Sequence, residues 1–399
     1  MIQRLEYLQK LIVFKDKRLI KVVTGIRRCG KSTLFTLYQQ YLVENGVSRE
    51  QIISIDFEDI DVAELRDYKK LHDHIRDRII PDKMNYVFLD EIQQVAEFER
   101  MAGSLFIKEN IDLYLTGSNA YMLSGEIATL LSGRYIEIQM LPLSFREYVS
   151  ASGDDKELPR KYTRYLTESS FPYTLELTGK TAAINEYLGG IYNTIILKDV
   201  VTRKKITDPM MLESLIRFMF YNIGNLTSTT NIANTMKSEH RPISVHTVET
   251  YLSALTDCFI LYKAGRYDIK GKQYLKTGDK YYLADIGLRY YLLGTKNVNL
   301  GSILENVVYL ELLRRGARVY VGKSGDSEID FIAEWPGEEI TYFQVALTVR
   351  EQSTLERELA PLNSIKDHNP KCLLTLDDDP PVSYNGIRQR NVLDWLMDG

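Results

Sequence analysis

Cysteine is scarce in this sequence: Cys29, Cys258 and Cys372 are the three in 399 residues, far apart and in no C-x-x-C pair. That spacing excludes a disulfide framework and a zinc site, and it points to a reducing compartment. Net charge is also small, since 50 Lys and Arg against 54 Asp and Glu give −4. Any nucleic-acid surface must therefore be a local patch. No run approaches about 18 uncharged apolar residues, so no membrane-spanning helix and no membrane partner are expected. The first stretch, MIQRLEYLQKLIVFKDKRLIK, carries charge throughout and lacks the apolar core of a secretory signal. The expected home is the cytoplasm. With 44% apolar and 26% charged residues, what remains is an ordinary globular composition, long enough for two or three domains.

What is present begins with VVTGIRRCGKST at residues 22–33, in which Gly25, Gly30, Lys31 and Ser32 meet G-x-x-x-x-G-K-[ST]. The context fits the motif: IKVVTG is a short apolar run suited to a buried strand, and STLFTLYQQYLVENG has helical periodicity ending at Gly46. Strand, glycine-rich loop and helix form a phosphate cradle. Gly25 and Gly30 let the loop curl, so that the backbone of Ile26, Arg27, Arg28 and Cys29 can point N–H groups inward. The helix starting at Lys31, Ser32 and Thr33 then turns its positive end toward the anion. Lys31 can reach the β and γ phosphates, and the Ser32 hydroxyl can ligate Mg²⁺. The expected cofactors are ATP and Mg²⁺.

About sixty residues later MNYVFLDEIQ supplies an apolar strand ending in Asp90-Glu91. Asp90 is placed to hold the magnesium shell and Glu91 to accept a proton from attacking water. IDLYLTGSNA reads as another buried strand, with Thr116, Ser118 and Asn119 following as polar groups that sense the γ-phosphate, position water or simply form a turn. Five strands are predicted near 21–24, 52–57, 86–90, 112–116 and 135–139, alternating with helices, as in a doubly wound parallel sheet.

Together these segments resemble an AAA-type P-loop ATPase domain, with GIRRCGKST as its Walker A, YVFLDE as its Walker B and LTGSN as its sensor-1 region. In LLSGRYIEIQ, Arg134 matches the arginine finger that relatives carry before the last strand. The resemblance implies that it reaches a neighbouring subunit's γ-phosphate, which would require a homo-oligomer; a structural arginine is the other reading. Further matches at LPLSFREYV, ILKDV, YYLADIGL and LENVVYLELLRRG extend the likeness to prokaryotic ATPases fused to a C-terminal domain of unknown function.

The α/β ATPase domain is expected over 1–150, a helical lid and winged-helix region over 151–300, and a third domain over 301–399. Arg203, Lys204 and Lys205 form a basic cluster that reads as a solvated last helical turn. Residues 226–276 give helix, helix and hairpin, which resembles a winged helix; Ser244, His246 and Thr247 would then meet duplex DNA, with Lys270 and Lys272 at the hairpin turn. Packing or protein contact is the equal alternative, since residues 237–280 carry an excess of only three positive charges.

The last hundred residues read as helix then three strands, with Glu305, Asp330 and Gln344 in the order of a restriction-endonuclease-like core. Active members end this pattern in (Glu/Gln)-x-Lys, whereas this chain has Gln344-Val345-Ala346. The resemblance therefore implies a degenerate nuclease site, unless a lysine such as Lys323 stands in. The function expected overall is MgATP hydrolysis that moves the C-terminal parts, with an ATP-gated DNA- or protein-binding switch and an ATP-regulated nuclease as alternatives.

Overall fold

The computed structural model describes residues 2–120, 133–153, 156–202, 206–271, 273–296 and 298–398. Arg203, Lys204, Lys205 and Lys272 lie outside the described residues, as does the segment 121–132 that leads to Arg134. The chain divides into two compact units: residues 1–142 with 257–259, and the remainder.

The first unit runs α1 (Leu5–Val13), β1 (Ile20–Thr24), α2 (Lys31–Glu44), β2 (Ile52–Asp56), α3 (Tyr68–Arg76), β3 (Asn85–Asp90), α4 (Phe98–Phe106), β4 (Ile111–Gly117) and β5 (Tyr135–Gln139). Its five strands pair in the order β2-β3-β4-β1-β5, every pair parallel. Helices cover both faces, so β1 and β3 are buried along their whole length, which is why they read as unbroken apolar runs. On one face Val22, Val87, Leu89 and Leu115 pack against Leu71 and Ile75 of α3 and Met101 and Leu105 of α4. The other face is aromatic: Phe88 and Tyr114 stack at 4.7 Å beneath Phe35 and Tyr38 of α2.

One strand residue breaks the apolar pattern. Lys21 is fully buried in β1, where its ammonium donates to Asp112 of β4 and to the Lys17 carbonyl at 2.8 Å. Asp112 also accepts from the Tyr114 hydroxyl (2.6 Å) and the Asp16 N–H (2.9 Å). The ammonium thus makes two hydrogen bonds and the carboxylate accepts three, the kind of pairing that lets two charges stay inside a protein.

The second unit opens with helices α5 (Phe145–Ala151), α6 (Leu158–Thr167), α7 (Thr181–Asn193) and α8 (Pro209–Tyr221). Next come α9 (Thr229–Ser238), α10 (Val245–Asp257), the hairpin β6 (Leu261–Asp268) and β7 (Gln273–Leu283), and α11 (Ile286–Leu293). It ends with α12 (Leu300–Arg314), β8 (Arg318–Ser324), β9 (Ser327–Glu334), β10 (Ile340–Ala346), α13 (Gln352–Asn363), β11 (Lys371–Thr375), β12 (Val382–Tyr384), β13 (Ile387–Asn391) and α14 (Val392–Met397). Among the described residues its eight strands form one sheet, β12-β13-β11-β10-β9-β8-β6-β7. The hairpin expected as a wing is therefore no free element: β6 pairs parallel to β8, at Arg266↔Val321 and Asp268↔Lys323. The sheet runs without interruption across the boundary expected at residue 300.

The motif YYLADIGL has a packing explanation. Asp285 caps α11 by accepting from Leu288 N–H (2.9 Å) and takes both the N–H and the hydroxyl of Ser170. A Cβ on Gly287 would sit 2.4 Å from that of Ser169, so only glycine allows this approach. Helix α12 is buried on nearly every side rather than amphipathic, and its Asn306 brackets the Leu283 backbone through N–H (2.7 Å) and carbonyl (2.9 Å) bonds.

Candidate functional site: the phosphate loop and its carboxylates

The loop leaves β1 at Thr24 and enters α2 at Lys31. Gly25 has φ 149°, and a Cβ there would lie 2.1 Å from the Met140 carbonyl oxygen, so no other residue fits. Gly30, at φ 106°, turns the chain into the helix. The first rung of α2 is Leu34 N–H to Gly30 O at 2.9 Å, so the amides of Lys31, Ser32 and Thr33 precede the ladder at its positive end. Arg4, buried and absent from any motif, braces the loop by donating to the Cys29 carbonyl (2.8 Å) and to Leu141 O (2.6 Å). Ile26 and Cys29 are buried, Arg28 is exposed, and Arg27 pairs with Glu58 at 2.7 Å.

The structure brings the two halves of the expected site together. The Lys31 ammonium donates to the carbonyls of Gly25 (3.1 Å) and Ile26 (3.4 Å) and lies 3.4 Å from Glu91 Oε1. The Ser32 hydroxyl lies near enough to the Asp90 carboxylate to favour its charged form. Thr116, at the tip of β4, bridges the pair: its hydroxyl accepts the Glu91 N–H at 2.9 Å and donates to Asp90 Oδ1. Burial pushes the Asp90 carboxyl up, against the hydrogen bonds from Ser32 and Thr116. Burial would do the same to Glu91, but the charges of Lys31 and Arg27, with hydrogen bonds from Ser118 and Gln93, more than reverse it and hold that carboxyl below its ordinary range.

Magnesium demands oxygen ligands and usually keeps several waters beside one or two protein oxygens. Ser32 Oγ at the head of α2 and Asp90 at the end of β3 fit that description. Among the described residues no three His, Cys, Asp or Glu side chains gather into a metal cage. A cation here would complete its shell from phosphate and water.

Two expected residues fall elsewhere. Asn119 is buried with its amide 3.5 Å from Cys258 Sγ, and its neighbour Ser118 is the residue that reaches Glu91, at 2.9 Å. Arg134 precedes β5, whose Tyr135 aligns with Ile20 at the amino end of β1, while the phosphate loop leaves the carboxyl end. Five strand residues, roughly 16 Å, separate the two levels. Arg134 is exposed there, its guanidinium 5.6 Å from the Phe106 ring centre, and it does not reach the loop of its own chain.

In the second unit Glu305 and Asp330 share a cluster with Lys280 of β7, which sequence reasoning did not single out. The Lys280 ammonium lies 2.8 Å from both Glu305 and Glu328. Asp330 accepts from Val345 N–H (2.8 Å), and Gln344 turns its amide to Glu358 (3.0 Å). Burial and the Glu305 charge push Asp330 far above its usual range, while Glu305, Asp330 and Glu328 together overcome the effect of burial and raise Lys280. One lysine ammonium thus sits among three carboxyl groups, paired with two of them. Lys280→Ala should cost about 3–5 kcal/mol in a denaturant melt, because it leaves buried carboxylates without a counter-charge. At the turn expected to meet DNA, Ser244 Oγ accepts the Thr247 N–H (3.0 Å) and contacts its hydroxyl, so both residues serve as a helix cap, and His246 is exposed.

The strand order, the glycine-built loop and the paired carboxylates are those of an AAA-type P-loop fold. Residues 17–149 match the model of an AAA domain, and residues 159–299 match a domain of unknown function, DUF8612. The chain belongs to the same family as an uncharacterised protein of Haemophilus influenzae, with 40% identity over 100% of this chain and 99% of that one. An uncharacterised protein of Methanocaldococcus jannaschii is 29% identical over 87% of this chain and 79% of its own length. Among solved structures, a Walker-type ATPase of Pyrococcus abyssi shares the fold, with TM-score 0.52 and 15% identity over 73% of this chain and 96% of that chain. Among the described residues no helix is long and apolar enough to cross a membrane.

Proposed function

We propose that this protein binds MgATP at the loop Gly25–Thr33 and hydrolyses it. The observation that carries the reading is the meeting of Lys31, Ser32, Asp90 and Glu91 at the positive end of one helix. Loop amides and the Lys31 ammonium take the β and γ phosphates, Ser32 and Asp90 hold the cation, and Glu91 accepts the proton of the attacking water. A magnesium ion bound there neutralises charge on the phosphates. Glu91 suits a base because neighbouring cations keep it ionised although it is buried.

Lys31→Ala tests the binding half. Calorimetry with Mg²⁺ and a non-hydrolysable ATP analogue should lose its heat signal in that variant, and phosphate release should vanish with it. Turnover that survives the substitution would sink the proposal. Nuclease chemistry is not part of this proposal, since the chain has Gln344-Val345-Ala346 where the active pattern ends in lysine.

A further inference from the structure

Glu91 is gripped more firmly than a base at the end of a strand requires, and one of the gripping residues, Gln93, has no role in the reaction described so far. The backbone at Glu91 is left-handed, with φ 53° and ψ 44°. A non-glycine residue adopts that conformation at a cost of about 1–2 kcal/mol, and only where its surroundings enforce it. Here the bend turns the carboxylate back under Lys31.

The two carboxylate oxygens then meet different company. Oε2 accepts from the Ser118 hydroxyl at 2.9 Å and from the Gln93 side-chain amide. That amide also lies 3.2 Å from Ser118 Oγ, so the three groups close a triangle. Gln93 satisfies only half of its own hydrogen-bonding capacity in doing so, since its Oε1 is buried with no partner among the described residues. Leaving a buried acceptor unpaired is unfavourable. Oε1 of Glu91 is in looser contact, 3.4 Å from the Lys31 ammonium, whereas a strong charge-assisted bond is about 2.7–2.9 Å. The saturated oxygen faces the β4 tip, and the lightly held one faces the lysine that a phosphate chain would attract.

Resting on the ATPase reading, we propose that Gln93 and Ser118 are positioning residues that lock Oε2 of Glu91, so that Oε1 takes the proton from the attacking water. In that step the water O–H bond breaks and its proton passes to Oε1. The water oxygen bonds to the γ-phosphorus, and the bond from that phosphorus to the bridging oxygen breaks, releasing ADP. Gln93 and Ser118 exchange no proton. Their contribution is to stop the carboxylate from rotating toward Lys31, where it would form a tight pair and lose its alignment with water.

The experiment compares wild type with Gln93→Ala, Ser118→Ala and the double variant by three measurements. Steady-state phosphate release gives kcat and KM, calorimetry with Mg²⁺ and a non-hydrolysable ATP analogue gives Kd, and nucleotide-free melting reports the clamp itself. Each single variant should lose about ten- to hundredfold in kcat, with KM and Kd within about twofold of wild type. Ser118→Thr, which keeps the hydroxyl, should recover most of the turnover. Without nucleotide, Gln93→Ala should lower the melting midpoint in the wild-type background and leave it unmoved in a Glu91→Ala background. A double variant that turns over ATP like an active wild type overturns the proposal, as does a kcat loss that merely follows Kd. If wild type itself releases no phosphate, the ATPase reading fails; the melting comparison alone still decides whether the two residues hold Glu91.

Discussion

Glu91→Gln should bind MgATP with an affinity close to that of wild type and release phosphate about 10²- to 10⁴-fold more slowly. The substitution changes one atom, keeps the shape of the side chain and removes its capacity to take a proton. Under the proposed reading affinity is spared, because the loop amides, Lys31, Ser32 and Asp90 that would carry binding are all retained by the variant. Removing the anion 3.4 Å from the Lys31 ammonium leaves that ammonium freer to meet phosphate. Equilibrium binding beside single-turnover phosphate release separates the two effects, which steady-state rates alone would blend. Phosphate release within about twofold of wild type would remove Glu91 from the reaction.

Arg134→Ala should reduce turnover by about 10³- to 10⁵-fold if its guanidinium acts as an arginine finger. The parallel register of β1 and β5 sets Arg134 at the opposite end of the sheet from its own phosphate loop. Any γ-phosphate it meets must therefore belong to another copy. This geometry makes a distinctive expectation: Arg134→Ala and Lys31→Ala chains, each inactive alone, should regain part of the activity when mixed. One copy then supplies an intact loop and the other an intact arginine. In wild type, turnover per chain should climb with protein concentration. Failure of both, with Arg134→Ala as active as wild type, would leave the residue as an exposed arginine resting on Phe106.

The sheet and the loop of the first unit were legible because their determinants are local. Strands buried on both faces read as apolar runs, so the five predicted strands match the observed ones within a residue or so of each end. The Walker motif carries its own geometry in glycines and one lysine. What escaped were side chains whose partners are remote in the chain. Arg4 reaches residues 25 and 137 positions away, and Lys21 finds Asp112 across 91. Ser118 rather than Asn119 meets Glu91 because of which way each side chain leaves the β4 tip, and residue type cannot report that. Lys280 was not legible for a related reason: the motif places its lysine on β10, two residues after Gln344, whereas the ammonium arrives from β7, remote in the chain. The continuous eight-stranded sheet was hidden likewise, since the β6–β8 pairing joins segments separated by α11 and α12.

That pairing has a consequence for how the chain emerges from the ribosome. The hairpin is complete by residue 283, yet the strand that covers the flank of β6 is not synthesised until residues 318–324. Throughout the interval a nascent chain carries a two-stranded ribbon with bare amide and carbonyl groups along β6, a state open to mispairing with other chains. Slow translation between α11 and β8 would prolong that exposure, and a chaperone that shields unpaired strands would be most useful in this window.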